Sequence, residues 1–251
     1  MSTIQNANYG LDRIGGDGGQ GIFEESSTPK HRLGEKLELS DGRIFRYASF
    51  AAATGAGLLV SQDISATAIV PTDGKLTAAS AGATEVTYTD SGTVGSATLD
   101  QYAGGYLHIE DDAGEGYTYR IKSNTAASSN AITFTLYDGL QVAVTTATDV
   151  AVTGNPYSQV RAAVGTADYI VAGVTPRAFT VNYYGWVQTR GVSTVLNVGG
   201  AGIGETLMLG DATEGATELW DSDQAEMHPV VGFALYATTA TGYGGVMLQL
   251  D

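Results

Sequence analysis

The amino-acid sequence predicts an all-β fold: a β-barrel or sandwich with an inserted smaller β domain and an extended N-terminal arm. Short runs of β-branched and aromatic residues recur roughly every 8–12 residues, separated by Gly, Asp, Asn and Ser, as in sandwiches and barrels. No long amphipathic helix pattern interrupts them. Charged residues make up only 16 % of the chain and 34 of the 251 residues are Gly, a composition that suits strands and tight turns.

Residues 1–40 are predicted to form the arm, because they keep neither helical nor strand periodicity for long. The segment IGGDGGQG (14–21) is too rich in glycine to hold regular structure alone, and ESSTPKHRLGEK (25–36) is polar. Such a segment gains order when it lies on another surface. We expect that surface to be either the body of the same chain or a neighbouring molecule.

Residues 41–75 and 154–251 are predicted to form the barrel or sandwich body. Only WDSDQAEM (220–227) in this part is compatible with a helical turn. The strand signals, bounded by turn residues, are DGRIFRYASF (41–50), GLLVSQD (57–63), SATAIVP (65–71), AFTVNYYGWVQTRG (178–191), VSTVLNV (192–198), ETLMLGD (205–211), VVGFALYAT (230–238) and GGVMLQLD (244–251).

Residues 76–153 are predicted to form the inserted domain, with a texture richer in Thr and Ala. Pro71 and Pro156 flank it, as prolines often flank linkers. One continuous sandwich without an insertion is the alternative. The strand signals here are TEVTYTD (84–90), GYLHIED (105–111), GYTYRIKS (116–123), AITFTLYD (131–138) and LQVAVTT (140–146).

The stretch LHIEDDAGEGYTYRIKSN (107–124) most resembles a site, since it crowds one imidazole and four carboxylates together: His108, Glu110, Asp111, Asp112 and Glu115. A calcium-binding loop needs carboxylates at alternate positions, a central Gly and a distal Glu, and this spacing differs. The flanking residues alternate as in strands, and DDAGEG supplies turn residues. We therefore predict a hairpin with an acidic loop, with a low-affinity calcium site as the alternative.

Other catalytic and metal-binding patterns are missing from the sequence. The chain has no cysteine, and His31, His108 and His228 are too far apart for a histidine metal motif. No GxSxG occurs, and neither IGGDGGQG nor VGGAGIG (198–204) is followed by the GK[ST] of a phosphate-binding loop. Paired carboxylates for glycoside hydrolysis remain open in so acidic a chain. We predict no catalytic centre, no metal site and no cofactor.

The distribution of charge along the chain indicates which kinds of partner the protein can bind. The net charge of −15 disfavours direct binding to nucleic-acid phosphates. Residues 1–50 contain six basic and seven acidic residues, so nearly all of the negative charge lies further along the chain. The arm is therefore a candidate contact for a partner, or merely an ordinary mixed-charge segment. No signal peptide or membrane-spanning run is evident, so we expect a soluble protein without a membrane partner.

Aromatic residues on strands more often pack than bind ligands. Tyr183, Tyr184 and Trp186 lie on a predicted strand, and we expect Trp186 to pack. Trp220 lies beside Asp221 and Asp223 in a loop-like segment. It is the better candidate for a surface contact.

Four segments carry a family resemblance: DGRIFRYASF, GNPY (154–157), YYGWVQTRG (183–191) and VGFALYATTATGYGGVMLQLD (231–251). In their order and texture they resemble the capsid decoration (cement) proteins of tailed bacteriophages, which coat the outside of the head. The resemblance covers residues 41–63 and 154–251. It is weak over the arm and over 76–153, and its motifs are packing and turn motifs rather than catalytic ones.

The resemblance implies a non-enzymatic structural protein of the virion, made in the host cytoplasm and placed on the outer capsid surface. Its partners would be the major capsid protein and other copies of itself, as a homotrimer. The arm would carry much of the capsid contact through Arg13, Lys30, Arg32 and Lys36, so deletion of residues 2–36 is expected to abolish capsid binding and leave a folded body. The alternatives are a head-fibre or tail receptor-binding module for host glycans, and a tail structural protein.

Overall fold

The structure is a computed structural model that describes residues 19–62, 74–89, 97–163, 170–211, 213–220 and 228–251. These residues form strands, turns and loops and include no helix, which confirms the all-β prediction. The chain divides into two compact units. We call Met1–Asp63 with Pro156–Asp251 the body, and Ile64–Asn155 the insertion; the sequence had suggested 76–153 for the insertion.

The described part of the body contains ten strands joined in one sheet. They are β1 (Lys36–Glu38), β2 (Ile44–Ser49), β3 (Leu59–Gln62), β10 (Val160–Ala162), β11 (Val171–Val174), β12 (Tyr184–Asn197), β13 (Thr206–Leu209), β14 (Thr217–Leu219), β15 (Val230–Ala234) and β16 (Gly242–Gln249).

Strand β12 organises the body, because four other strands pair along its fourteen residues. Its first half pairs with β2 and β11, and its second half with β16 and β14. Strands β13 and β15 link β14 to β16, so the pairings close a ring of five strands. On the other side of β11, β3 pairs with β10, with Gln62 directly opposite Val160.

The two predicted strands at 178–191 and 192–198 are one strand in the structure. Gly191 has a φ of +87°, a left-handed value that glycine adopts without strain. The register against β2 shifts between Gln188 and Arg190. The chain therefore passes this point as a bulge rather than as a turn, and the same strand changes partner from β2 to β16.

Residues 19–40, which we call the strap, lie on the body of their own chain. Ile22 is fully buried and Leu39 almost so, in a cluster with Phe45, Tyr47 and Trp186. Ser26 forms an isolated bridge with Tyr184, and β1 pairs with β2. This is one of the two surfaces that the sequence analysis allowed for the arm. Residues 1–18 lie outside the described residues.

The insertion is a closed barrel in the strand order β4-β5-β8-β7-β6-β9. The strands are β4 (Lys75–Leu76), β5 (Glu85–Thr89), β6 (Tyr106–Asp111), β7 (Thr118–Asn124), β8 (Ala131–Leu136) and β9 (Asp149–Thr153). Inward-facing side chains alternate with outward-facing ones along each long strand. The inward-facing ones, including Val86, Leu107, Ile121 and Phe134, form a core of their own.

The predicted hairpin at 105–123 is confirmed, since β6 and β7 pair antiparallel. Leu107 and Ile109 are buried, whereas Glu110 is exposed. The strand predicted at LQVAVTT (140–146) is wrong: Leu140 and Val144 are buried in a loop, and the strand comes later as β9. The predicted strand SATAIVP (65–71) falls outside the described residues, as does nearly all of the helical turn at 220–227.

Candidate functional site

The strap is fixed to the body by the side chain and backbone of Gln20, which is itself buried. The Trp186 indole Nε1 donates to the Gln20 carbonyl oxygen at 2.8 Å. The Tyr47 hydroxyl donates to Gln20 Oε1 at 2.6 Å, and Gln20 Nε2 donates to the Tyr184 carbonyl oxygen at 2.8 Å. The polar side-chain groups of Gln20, Tyr47 and Trp186 thus each have a hydrogen-bond partner. Their burial in an apolar cluster therefore leaves no unsatisfied donor or acceptor on these three side chains.

The strap also contributes His31, whose ring packs between two aromatic rings of the body. Its centroid lies 4.8 Å from that of Trp186 and 5.1 Å from that of Tyr47. The His31 Nδ1 lies 3.1 Å from a carboxylate oxygen of Glu35. Burial raises the pKa of the Tyr47 hydroxyl above its ordinary value. As the strand position predicted, Trp186 packs in the core.

Three of the four basic residues expected to contact a partner lie on the strap, and all three are exposed: Lys30, Arg32 and Lys36. Lys30 and Arg32 flank His31 in the chain, so the packing of its ring on Trp186 and Tyr47 fixes the backbone between them. Lys36 pairs with Glu38 at 3.0 Å, with both side chains solvated, a pair worth little to stability. Arg13 lies outside the described residues.

Because the strap is packed into the body, deleting the arm would disturb the fold as well as any contact with a partner. Deletion of residues 2–36 would remove Gln20 and Ile22 from a buried cluster and leave Tyr47 and Trp186 uncovered. The expectation that such a deletion leaves the body intact does not fit this arrangement. Substitution of the exposed basic side chains leaves the cluster unchanged and is the cleaner test.

Trp220, the predicted surface contact, follows β14 and is 47 % exposed. Its backbone N–H donates to the Thr206 carbonyl oxygen at 2.9 Å, which fixes its position beside β13. The backbone of Trp220 is therefore held by the sheet, while its indole is half exposed. Asp221 and Asp223, its neighbours in sequence, lie outside the described residues.

Sequence reasoning missed a surface made by the outer side of β12, β16 and β15. Val192 lies opposite Met247, Leu196 opposite Tyr243, and Met247 opposite Phe233. Side chains at directly paired positions share one side of a sheet. We call this surface the uncharged face; its residues are Val192, Thr194, Leu196, Phe233, Tyr236, Tyr243 and Met247.

The uncharged face exposes large side chains. Val192, Tyr236 and Tyr243 are each more than half exposed, at 53 %, 52 % and 56 %. None of its seven residues is ionisable near neutral pH, although the chain carries a net charge of −15. Exposed apolar surface of this kind marks contact sites in soluble proteins. The sequence signal for this face is that its positions in VSTVLNV and GGVMLQLD are apolar or Thr.

One edge of the uncharged face opens into a hollow of about 560 Å³. Val192, Thr194 and Tyr243 line it from the face, and Phe23 of the strap, itself 53 % exposed, lines the opposite side. Arg43 also reaches the hollow, and its Nε donates to Asp41 at 2.6 Å. The hollow is therefore largely apolar, with its one guanidinium already paired to a carboxylate.

Comparisons of the chain with protein-family models, with curated proteins and with solved structures found no match.

The acidic hairpin is a structural turn. Asp112 Oδ2 accepts a hydrogen bond of 2.7 Å from the Thr145 hydroxyl, which ties the turn to the loop before β9 and lowers the pKa of that carboxyl. Asp112 itself has a φ of +63°, a conformation that Asp tolerates in turns. Among the described residues no group of three or more His, Asp or Glu side chains is arranged to hold a metal ion.

A second acidic cluster lies at the end of β13. The His228 Nε2 pairs with an oxygen of Asp211, and the Asp211 backbone N–H donates to Glu218 at 3.4 Å. Burial, followed by the neighbouring Asp211 charge, raises the pKa of the Glu218 carboxyl. Of the three histidines, His31 and His228 belong to the body and His108 to the insertion. The described ranges contain no helix with the length and apolar character that a membrane crossing requires.

Proposed function

We propose that this protein is a non-enzymatic structural protein of a tailed-phage virion that decorates the outer capsid surface and stabilises it through contacts between subunits. It is made in the host cytoplasm. Its partners are the major capsid protein and further copies of this chain, as a homotrimer. It needs no cofactor and binds neither nucleic acid nor membrane.

The uncharged face is the observation that carries this proposal. Like charges oppose one another when two strongly acidic surfaces approach. A chain of net charge −15 associates with its own copies most readily where its surface lacks charge. The uncharged face offers that surface on regular strands, so little conformational entropy is lost when a partner covers it.

The strap supplies a second contact of different chemistry. Its exposed bases, Lys30, Arg32 and Lys36, suit an acidic surface on the capsid. Because Gln20 and His31 fix the strap to the aromatic cluster, these side chains are presented from an ordered backbone. Contacts repeated around a symmetry axis add together. A protein that binds only the assembled shell shifts the equilibrium towards it.

The copy number of this chain in purified virions, measured by quantitative mass spectrometry, tests the proposal. A ratio near one copy per major capsid subunit is expected for a protein spread over the whole shell. A few dozen copies or fewer would point to a vertex, fibre or tail component. A chain that is missing from the particle would contradict the proposal altogether.

A receptor-binding module for host glycans, on a head fibre or tail, is the second candidate. The half-exposed indole of Trp220, carried on a backbone that the sheet holds, favours it, because aromatic faces stack on sugar rings. A low copy number combined with binding on a glycan array that is lost in Trp220→Ala would select this function over decoration. A tail structural protein would show the low copy number without glycan binding.

A further inference from the structure

The outer surface of the insertion barrel carries a row of four side chains that runs across four neighbouring segments. Tyr106 on β6 lies directly opposite Thr153 on β9 and Arg120 on β7. The backbone N–H of Tyr137, just after β8, donates to the Arg120 carbonyl oxygen at 3.0 Å. Neighbouring strands lie about 4.8 Å apart, so the row extends over about 14 Å. We call it the tyrosine–arginine row.

Both tyrosines of the row show much of their rings to solvent. Tyr106 is 37 % exposed and Tyr137 is 48 % exposed. The Arg120 guanidinium carbon lies 5.1 Å from the centroid of the Tyr137 ring, a cation–π contact that holds the charged group flat on the aromatic face. Tyr106 and Arg120 thus stand side by side on one surface, with their positions set by strand register.

A histidine supports the row from one side. The ring of His108 lies 6.3 Å from that of Tyr106. Its Nε2 is 3.0 Å from the Thr153 hydroxyl, and its Nδ1 is 3.3 Å from the Thr118 hydroxyl. Both ring nitrogens are occupied by neighbours on the barrel, so His108 bridges three strands and limits the movement of Tyr106. The surface is therefore largely preformed, which reduces the entropic cost of binding.

Arg120 has no carboxylate within ion-pair distance among the described residues, whereas Arg43, Arg46 and Arg177 each have one. Lys122, exposed and two residues further along β7, adds positive charge on the same side. Glu110 stands four residues along β6 from Tyr106, towards the hairpin turn and away from Lys122. Asp138 is the acid adjacent in sequence to Tyr137. The Arg120–Lys122 end is thus the cationic end of an otherwise acidic surface.

The surroundings of the row are hydroxylated rather than apolar. Thr118, two residues from Arg120 along β7, and Thr135, two residues from Tyr137, occupy outward-facing positions of their strands, and Thr153 ends the row. A protein interface is expected to centre on contiguous apolar area, as the uncharged face does and this surface does not. Residues 64–155 contain only three basic residues, too few for the extended basic surface that a run of nucleic-acid phosphates requires, whereas a single guanidinium suffices for one carboxylate.

We propose that the tyrosine–arginine row binds an acidic saccharide, with a sugar ring stacked on Tyr106 and a sugar carboxylate held by the Arg120 guanidinium. The planar fork of Arg matches a carboxylate through paired hydrogen bonds. The threonine hydroxyls beside the row offer partners to sugar hydroxyls. This inference does not depend on the proposed place of the protein in the virion, since a decoration protein and a receptor-binding module can each carry such a site.

Calorimetric titration of the full chain with tetragalacturonate tests the proposal, with the fully methyl-esterified tetramer as the uncharged comparison. The acid form is expected to bind at least tenfold more tightly than the ester. Arg120→Gln and Tyr106→Ala are each expected to weaken binding of the acid form about tenfold. Arg190→Gln, at an exposed Arg of the body, and Tyr117→Ala, at a Tyr beside the hairpin turn that is 41 % exposed and outside the row, are the matched controls and should bind as the unmodified chain does.

Three outcomes would overturn the proposal: no binding of the acid form at millimolar concentration, equal binding of acid and ester, or unchanged binding in Arg120→Gln. Circular dichroism of each variant shows whether the barrel is still folded, and Tyr106→Phe, which retains the ring, should retain binding. Loss of capsid binding in Arg120→Gln without any saccharide binding would reassign the row to a protein contact. The copy number in virions is measured separately, so failure here leaves the proposed function standing.

Discussion

Arg46 holds Asp251, the last residue of the sequence, through two parallel hydrogen bonds. Arg46 Nε donates to Asp251 Oδ2 at 2.7 Å, and Nη2 donates to Oδ1 at 2.8 Å. The Thr189 hydroxyl donates to the same carboxylate at 3.1 Å. This arrangement ties the residue that follows β16 to β2, on the far side of β12. The hydrogen bonds from Arg46 are the main reason that the pKa of the Asp251 carboxyl lies below its ordinary value of 3.8.

Asp251→Asn is expected to remove a pH-dependent part of the stability. The folded carboxyl has the lower pKa, so its contribution is fully present above about pH 4 and is lost as the pH falls below 3.8. We expect the variant to be about 1 kcal/mol less stable at pH 7, with the difference closing towards pH 2. Urea denaturation at several pH values measures this. A difference in unfolding free energy that does not change with pH would contradict the assignment of this effect to the Asp251 carboxyl. So would the same dependence on pH in Asp138→Asn.

Trp186→Phe should destabilise the body, because it leaves the buried Gln20 carbonyl oxygen without the indole donor. An unsatisfied buried acceptor costs about 1–3 kcal/mol. The matched control is Trp220→Phe, which makes the same change at a half-exposed indole and should shift stability by less than about 0.5 kcal/mol. Guanidinium denaturation followed by circular dichroism compares them. Equal effects would mean that the strap does not depend on this hydrogen bond.

Gly232→Ala should be strongly destabilising. Gly232, in β15, has a φ of +159°, and an added Cβ would lie 2.0 Å from the Met247 carbonyl oxygen on β16. Either the two strands separate or the ladder shifts, and overpacking of this kind costs about 1–3 kcal/mol or more. Gly242→Ala, where nothing lies within 4 Å of the new atom, is the control. Thermal melts of the two variants should differ by several degrees, and similar melts would count against this close approach.

Val192→Glu should weaken self-association, because it introduces a carboxylate on the β12 strand of the uncharged face. The chain is already strongly acidic, so copies meeting there would bury like charges. Sedimentation velocity at micromolar concentration is expected to show a shift from oligomer towards monomer. Leu99→Glu changes an exposed apolar side chain of the insertion, 69 % exposed, and should have no such effect. An unmodified chain that is monomeric at all concentrations would rule out this face as the self-contact.

Replacing Lys30, Arg32 and Lys36 together by Gln should reduce binding to capsids and make it less sensitive to salt. The three side chains are exposed, so the fold should be retained, and the electrostatic part of the attraction is what the change removes. Co-sedimentation with capsids at two salt concentrations measures the effect. Lys75→Gln, on the insertion, is the single-site control. Undiminished binding by the triple variant would move the capsid contact away from the strap.

The alternation of residues around a turn was enough to predict the hairpin of the insertion. In GYLHIED and GYTYRIKS apolar and polar residues alternate, and only one register buries Leu107 and Ile121 together. LQVAVTT alternates almost as well, yet Leu140 and Val144 are buried by a loop. Which apolar run pairs with β6 is decided by closure of the barrel, a long-range condition that local periodicity does not contain.

The surfaces were harder to predict than the strands. Outward-facing Tyr106 and Arg120 follow from the hairpin pattern, but Tyr137 joins them only because β8 pairs with β7. The uncharged face likewise combines β12, β15 and β16, whose adjacency arises from pairing across the ring. The core role of Trp186 was predicted from its strand position, whereas its hydrogen bond to Gln20, more than 160 residues away, has no local signature.

Gln62 at the end of β3 pairs directly with Val160 at the start of β10, so the insertion leaves and re-enters the body at neighbouring points. Paired residues on antiparallel strands lie only about 5 Å apart, so a turn of a few residues could join β3 to β10, where residues 63–159 now intervene. The barrel between them closes its own ladder and fills its own interior. Recombination, or a protein engineer, could exchange it for another closed domain at this junction, which makes it a natural place to display a foreign epitope or enzyme.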